Sequence, residues 1–262
     1  MGLESHWLPG TANDTSRIRG GDLVIAADVW SEHLGPAVPG ARYVLHNFNA
    51  EHPVFHGLDD LDLVRLQVYT SSARGERLGP LRYWTAENRV LTQPWGSDLF
   101  AEEFYDPVFN AHSRDAAFVG AIWNTDNQGN TGTVRELEDA LAANGLRFQH
   151  KTQVSEDEMI ATIRGARIAP AFAGPWQVEH NYLPCRVFKN VAYGQVAVTN
   201  VPRFYDLFAD CSLQGESIQE LIREALTLKR GEWAEMVLAQ QRVVARFTYR
   251  ESLQTIERAF ES

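Results

Sequence analysis

The sequence predicts an α/β protein whose C-terminal half contains a parallel sheet. From Asp115 onward, short apolar runs alternate with segments of helical periodicity, which implies parallel strands joined by right-handed crossovers. Residues 1–112 differ, because they are loop-rich and contain many histidines, prolines and tryptophans. A chain of 262 residues can hold one large or two small domains. We therefore predict two domains, 1–112 and 113–262, with the boundary between Asp106 and Ser113.

The first half contains apolar runs that are typical of buried strands. Strands are predicted at residues 22–27, 41–45 and 63–69, with a further candidate at residues 89–92. Residues 93–98 are predicted to form a turn, because Pro94 and Gly96 interrupt regular structure there.

The second half alternates strands and helices in a regular order. The predicted strands are 116–122, 146–150 and 167–172, and the predicted helices are 133–143, a helix capped by Ser155, and the segments 216–228, 231–247 and 247–260. Ligands of parallel sheets bind beyond the carboxyl ends of the strands. The loops after Ile122, Phe172 and Thr199 are therefore expected to line one cleft.

Residues 181–200 predict a loop, a short helix, a glycine stop and a buried strand. Arg186 and Lys189 lie one turn apart near the start of the helix, where unpaired N–H groups and the helix dipole also favour an anion. This combination predicts a phosphate site. Gly194 ends the helix, because glycine adopts a left-handed cap without strain. The alternative interpretation of the two cations is a solvated helix face.

This segment resembles the donor-binding segment of glycosyltransferases with the GT-B fold, and the likeness is nearest to the CgeB-like and group 1 families. Their C-terminal domains carry an Arg-x-Phe-Glu helix, an Ala-x-Gly stop and an apolar strand. The corresponding residues here are Arg186, Phe188 and Lys189, then Ala192 and Gly194, then the run 196–199. Residues 118–123 are similar to the opening strand and glycine turn of the family, and residues 247–253 to its closing helix.

The resemblance implies a two-domain arrangement. It consists of a shortened Rossmann-like N-terminal domain on the acceptor side and a doubly wound C-terminal domain that binds a nucleotide-diphosphate sugar. The last helix, 247–260, is expected to cross back to the first domain. The implied activity is transfer of the sugar to an acceptor hydroxyl on a glycan, a lipid or a small molecule.

Two positions depart from the family pattern. Many retaining members carry two acidic residues eight positions apart, and the second one holds the donor ribose. Asn181 and Lys189 occupy these positions here, and a lysine cannot accept a hydrogen bond from a hydroxyl. The departure leaves open a non-catalytic sugar-nucleotide or glycan binding module of the same fold. A third alternative is another doubly wound enzyme acting on nucleotides or phosphosugars, such as an epimerase.

Further donor-binding candidates lie after the first strand of the second half. A departing diphosphate can be stabilised without a metal by Arg, Lys and a helix N-terminus. Gly120 and Asn124 join Arg186 and Lys189 as candidates, because a glycine-rich loop lets backbone N–H groups approach an anion. The loop 124–132 is equally consistent with a plain surface loop.

Candidates for a general base lie in the first half. An inverting enzyme needs such a base near the acceptor hydroxyl. His46, Glu51, His52 and Asp28 follow predicted strand ends, where loops face the cleft. Each of them could instead be a hydrogen-bonded loop residue.

Composition excludes several other classes of function. With 24 basic and 34 acidic residues the net charge is −10, which argues against a nucleic-acid surface. The two cysteines form neither a disulfide framework nor a zinc site, and His46, His52 and His56 lack a metal-binding motif, so no metal is expected. No transmembrane segment or signal peptide is predicted, and we expect a cytoplasmic enzyme without a resident cofactor.

Overall fold

The computed structural model describes residues 16–27, 38–46, 62–67, 83–86, 89–124 and 129–262. The described residues fall into two compact units. Unit 1 takes its residues from Met1–Val68, Gly79–Gln93 and Thr255–Ser262, and unit 2 from Pro94–Gln254. The units part between Gln93 and Pro94, and the predicted boundary between Asp106 and Ser113 lies within unit 2.

Unit 1 contains a five-stranded sheet. Its strands are β1 (Leu23–Ala27), β2 (Arg42–His46), β3 (Leu63–Gln67), β4 (Tyr83–Thr85) and β5 (Val90–Thr92). They are ordered β1-β2-β3-β5-β4, and all neighbours are parallel except the antiparallel pair β4 and β5. The four predicted strands are confirmed within the described residues, while Val68 and Tyr69 of the predicted third strand lie outside them.

Unit 2 contains a two-stranded parallel sheet and most of the helices. The strands are β6 (Asp115–Val119) and β7 (Arg147–Lys151). The helices are α1 (Thr131–Ala143), α2 (Glu156–Gly165), α3 (Pro175–Glu179), α4 (Cys185–Ala192), α5 (Pro202–Phe208), α6 (Ile218–Thr227), α7 (Arg230–Val244) and α8 (Tyr249–Phe260). None of the helices within the described ranges is long and apolar enough to cross a membrane.

Residues 167–172 and 196–199 were predicted as strands, but the structure gives them no regular ladder. Residues 167–172 lie beside β6, since the amide of Ala117 donates to Ile168 O at 3.0 Å. Residues 196–199 lie beside residues 167–172 in turn, since the amide of Ala171 donates to Val198 O at 2.8 Å. Side chains bind backbone groups that a ladder would otherwise use. Thr199 Oγ1 donates to Ala171 O at 3.0 Å, and Gln240 Oε1 accepts from the amide of Ala197 at 2.9 Å.

The core of unit 2 lies between β6, the two extended segments and helices α1, α6 and α7. Its buried members are apolar residues that recur with helical or strand periodicity, among them Phe118, Leu137, Leu141, Val196, Ile222, Trp233 and Val237. This core fixes the carboxyl edge of β6, where the candidate site residues follow.

The predicted helices 231–247 and 247–260 are shorter than expected. α7 ends at Val244, a 3-10 turn covers Ala245–Phe247, and α8 begins at Tyr249. The break has a hydrogen-bonding cause, because Ser97 N donates to Phe247 O and Tyr249 N donates to Ser97 O, each at 2.8 Å. These bonds hold Thr248, which is extended between the 3-10 turn and α8, beside Ser97.

Helix α8 contributes residues to both units, since Thr255–Ser262 belongs to unit 1 and the preceding turns belong to unit 2. Within unit 1, the ring of Phe260 lies 5.3 Å from the guanidinium carbon of Arg42 and 5.8 Å from that of Arg89. These cation–π contacts fix the end of α8 against residues of the first half.

Candidate functional site

Three loops of unit 2 meet beyond the carboxyl end of β6. The loop after residues 167–172 packs so closely on the loop after β6 that a Cβ on Gly174 would lie 2.4 Å from the carbonyl oxygen of Gly129. Asn200, which follows residues 196–199, accepts from the amide of Ala173 at 2.8 Å and donates to its carbonyl at 2.9 Å. The loops that were expected to line one cleft are thus neighbours in the structure.

The loop after β6 is closed by Asn130, which the sequence analysis did not single out. Its side chain donates to Ala121 O and accepts from the amide of Trp123, both at 3.0 Å. The side chain is therefore unavailable as an N-cap for α1, whose first N–H groups receive no bond from it. Asn124 is exposed at the start of this loop, and residues 125–128 lie outside the described part of the chain.

Arg186 lies in the first turn of α4, as predicted, and its side chain reaches β6. The guanidinium carbon lies 4.2 Å from the centroid of the buried Phe118 ring. A Cβ on Gly120 would lie 2.4 Å from Nη2 of Arg186, so the guanidinium occupies the space that a side chain at position 120 would fill. The φ angle of +147° at Gly120 also disfavours any other residue there. The position of the Arg186 guanidinium therefore depends on a glycine at position 120.

The charge of Arg186 is not neutralised by any group that the structure describes. The guanidinium has its ring contact, but among the described residues it has no hydrogen bond and no ion pair. Burial lowers the pKa of Arg186 from its ordinary value, while the neighbouring Cys185 and Tyr182 act in the opposite direction. A guanidinium remains protonated in proteins, so an anion placed here would be stabilised by a partly desolvated cation.

Lys189 has a different environment from Arg186, although the two residues lie one turn apart. Its Nζ is 2.8 Å from Oδ2 of Asp98, and the two side chains are only 20% and 17% exposed. The Tyr193 hydroxyl donates to the same carboxylate, with distances of 3.0 and 2.9 Å to its two oxygens. Asp98 therefore compensates the charge of Lys189.

The pKa values of this cluster follow from burial and from Asp98. Burial alone would lower the pKa of Lys189, but the hydrogen bond to Asp98, the proximity of Tyr249 and the charge of Asp98 together raise it above its ordinary value. Burial, assisted by the charge of Asp98, raises the pKa of Tyr193 far above that of a free tyrosine. At neutral pH Lys189 is thus an ammonium and Tyr193 a neutral phenol.

Asn181 lies just after α3 in the left-handed backbone region, with φ of 53°. Its amide donates to Val178 O at 3.1 Å and closes the last turn of that helix. Asparagine adopts this conformation more readily than most residues. The backbone therefore supplies a structural reason for an asparagine at this position.

The candidate bases lie in unit 1 or outside the described residues. His46 ends β2, and burial lowers its pKa to about 4, so that its ring is neutral near pH 7. A base with so low a pKa removes a proton less effectively than one that titrates near neutrality. Asp28, Glu51, His52 and His56 lie outside the described residues. No group of three or more potential metal ligands occurs in the part of the chain that the structure describes.

Comparison with known proteins identifies one family. A family model described as glycosyl transferase-like matches residues 101–258, which is more than half of the 262-residue chain. The match includes β6, Gly120, Arg186 and Lys189 and begins shortly after the turn at 93–98. No curated protein matches the chain.

Proposed function

The chain belongs to the glycosyl transferase-like family, and on this premise we propose that it transfers a sugar from a nucleotide-diphosphate donor to an acceptor hydroxyl. The observation that carries the proposal is the uncompensated guanidinium of Arg186 at the carboxyl edge of β6. Sugar transfer of this kind requires stabilisation of the departing diphosphate, and a partly desolvated guanidinium supplies it electrostatically.

In this proposal Arg186 contacts the phosphates directly, and Gly120 leaves room for it to do so. The N-terminal N–H groups of α1, which Asn130 does not cap, are a second source of positive potential near the same loops. Together they allow charge stabilisation without a metal. Lys189 forms an ion pair with Asp98, so its charge is already compensated.

We further propose the GT-B type, with unit 2 as the donor-binding domain. Two observations support this: each unit has its own sheet with parallel pairing, and the family match covers residues 101–258, most of which belong to unit 2. The acceptor and its general base belong to the first half in this scheme. His46 remains a candidate there, together with Asp28 and Glu51.

A non-catalytic binding module of the same fold is the second candidate function. It is favoured by Asn181 and Lys189, since the first is used for a left-handed turn and the second is paired with Asp98. A thermal-shift screen with UDP, GDP, ADP and CMP sugars, followed by an assay of donor hydrolysis, separates the two. A ligand that binds only the native state raises the melting temperature. Turnover supports the enzyme, and a shift without turnover supports the module.

Arg186→Ala is expected to weaken binding of a nucleoside diphosphate by about tenfold to hundredfold, because a charge-assisted hydrogen bond contributes roughly 1.5–3 kcal/mol. The corresponding nucleoside lacks phosphates and should bind equally well to both proteins. Titration calorimetry at one salt concentration measures both affinities. Arg147→Ala is the control, because it removes the same charge from a mostly exposed side chain. Arg147 is the first residue of β7 and pairs with the start of β6, whereas Gly120 follows the end of β6. An equal loss of nucleoside and nucleotide affinity would show that Arg186 supports the fold and does not contact phosphate.

Gly120→Ala is expected to displace the Arg186 guanidinium, because the new Cβ would overlap Nη2. Nucleoside diphosphate affinity should fall about as far as in Arg186→Ala, and the strained φ should cost about 1–3 kcal/mol of stability. The double variant tests the mechanism, because residues that act as one element do not have additive effects. Affinity losses that add fully in Gly120→Ala/Arg186→Ala would contradict a shared role.

A further inference from the structure

The last two residues of β7 form hydrogen bonds with both the backbone amide and the backbone carbonyl of Gly120. The amide of Gly120 donates to Lys151 O at 2.9 Å, and the carbonyl of Gly120 lies 2.8 Å from Nε2 of His150. Because a carbonyl oxygen only accepts, Nε2 of His150 must carry the proton of this hydrogen bond. The turn that provides space for Arg186 is thus held by a side chain on the neighbouring strand.

The ring of His150 is held in place by two aromatic neighbours. It is nearly parallel to the Phe148 ring, at 7° and a centroid separation of 6.3 Å, and it lies 6.0 Å from the Phe118 ring. Phe118 pairs with His150 in the register of β6 and β7, and it is also the ring that the Arg186 guanidinium covers. His150 and Arg186 therefore contact the same two residues, Phe118 and Gly120.

We infer that His150 is a positioning residue for the anion site: it fixes the Gly120 carbonyl and thereby the space in which the Arg186 guanidinium lies. The inference rests on the proposed function of Arg186. Glycine has the greatest backbone freedom of any residue, so an untethered Gly120 would sample other conformations. The Arg186 guanidinium has no hydrogen bond of its own among the described residues and would follow that movement.

Neighbouring groups do not duplicate this role. Lys151 holds the Gly120 amide with its backbone carbonyl, and its side chain pairs with Glu158 at 2.8 Å. His150 is itself exposed, so its ring contributes to the site mainly through the bond to Gly120 and the contact with Phe118. Removing the donor while keeping an aromatic ring isolates the contribution of the bond.

The test compares His150→Phe, which keeps a ring but has no donor, with His150→Gln, whose amide N–H can reach the same carbonyl. Inorganic pyrophosphate is the probe, with its Kd measured by calorimetry. His150→Phe is expected to raise the Kd by about threefold to tenfold, since the residue acts through Gly120 and does not contact the anion. His150→Gln should restore most of the affinity. His112→Phe, a change at an exposed histidine before β6, is the control and should bind as wild type does.

The outcomes distinguish this inference from the proposed function. Pyrophosphate binding that is equal in wild type and His150→Phe, or equally weakened in His150→Phe and His150→Gln, overturns the role of His150 alone, provided that Arg186→Ala loses affinity. A wild-type protein that does not bind pyrophosphate, or an Arg186→Ala variant that binds as wild type does, overturns the proposed anion site and the inference with it. Melting temperatures measured in parallel ensure that each variant is folded.

Discussion

Lys189→Glu is expected to destabilise unit 2 strongly, because it places a second carboxylate against the mostly buried Asp98. The native pair is separated by 2.8 Å, with 20% and 17% of the two side chains exposed. Removing one partner of a buried ion pair typically costs about 3–5 kcal/mol, since the remaining charge is left uncompensated. The melting temperature should therefore fall by roughly 6–20 °C for a chain of this size.

Thermal and urea unfolding measure this effect, and Lys151→Glu is the matched control. Lys151 and Glu158 form a pair of the same length, but their side chains are 30% and 50% exposed. An exposed pair of this kind contributes about 0–1 kcal/mol. If Lys189→Glu and Lys151→Glu lower the free energy of unfolding equally, Asp98 does not hold Lys189 in solution. The charge-swapped double variant Asp98→Lys/Lys189→Glu should recover part of the loss, as expected for coupled residues.

The pH dependence of this stabilisation has a definite sign. The folded-state pKa of Lys189 is raised above the ordinary value of 10.5. The contribution of Lys189 protonation is therefore complete below the unfolded pKa and is lost only as the pH rises through the folded pKa. Lys189 should thus make no pH-dependent contribution near neutrality.

The elements with strong local signals were predicted well from the sequence. Ser155 caps α2 as predicted, and its hydroxyl accepts from the Glu158 amide at 3.3 Å. Gly194, with φ of 89°, follows α4 as the predicted glycine stop. Both signals act within a few residues, so a single sequence contains all the information that they need.

The contacts that define the candidate site were harder to predict from the sequence. The pairing of Asp98 with Lys189 joins residues that are 91 positions apart, and no local pattern marks it. Arg186 was identified, but its packing against Gly120 joins the first turn of α4 to the residue after β6, which no local pattern indicates. The short strand β4 and the helices α3 and α5 were not predicted, because three to seven residues contain too little periodicity.

The predicted strands at 167–172 and 196–199 show a different kind of discrepancy. The apolar pattern correctly indicated extended, buried backbone, but it could not indicate which groups the backbone would bond. Thr199 and Gln240 supply side-chain bonds in place of ladder bonds. Burial is readable from composition, whereas the choice between backbone and side-chain partners depends on residues far away in the sequence.

Gly96→Ala is expected to have the largest effect of all the substitutions considered. Gly96 has φ of +76°, and a Cβ there would lie 1.6 Å from the carbonyl oxygen of Phe247. The clash is with backbone and cannot be relieved by rotating a side chain. The turn must move away, which breaks the bonds from Ser97 N to Phe247 O and from Tyr249 N to Ser97 O. The backbone strain and the loss of these two hydrogen bonds should together lower the free energy of unfolding by about 4 kcal/mol or more.

Urea unfolding measures the loss, and Gly231→Ala provides the matched control. Gly231 lies in the first turn of α7, where a Cβ would meet no atom within 4 Å, so an alanine should stabilise the protein by about 0.5–1 kcal/mol. A Gly96→Ala protein as stable as wild type would mean that residues 93–98 and 247–249 do not pair.

Because Asp98 lies in the same segment as Gly96, moving this segment also separates Asp98 from Lys189. The costs of Gly96→Ala and Lys189→Ala should therefore sum to more than the cost of the double variant, since both remove the same contact between the turn and α4.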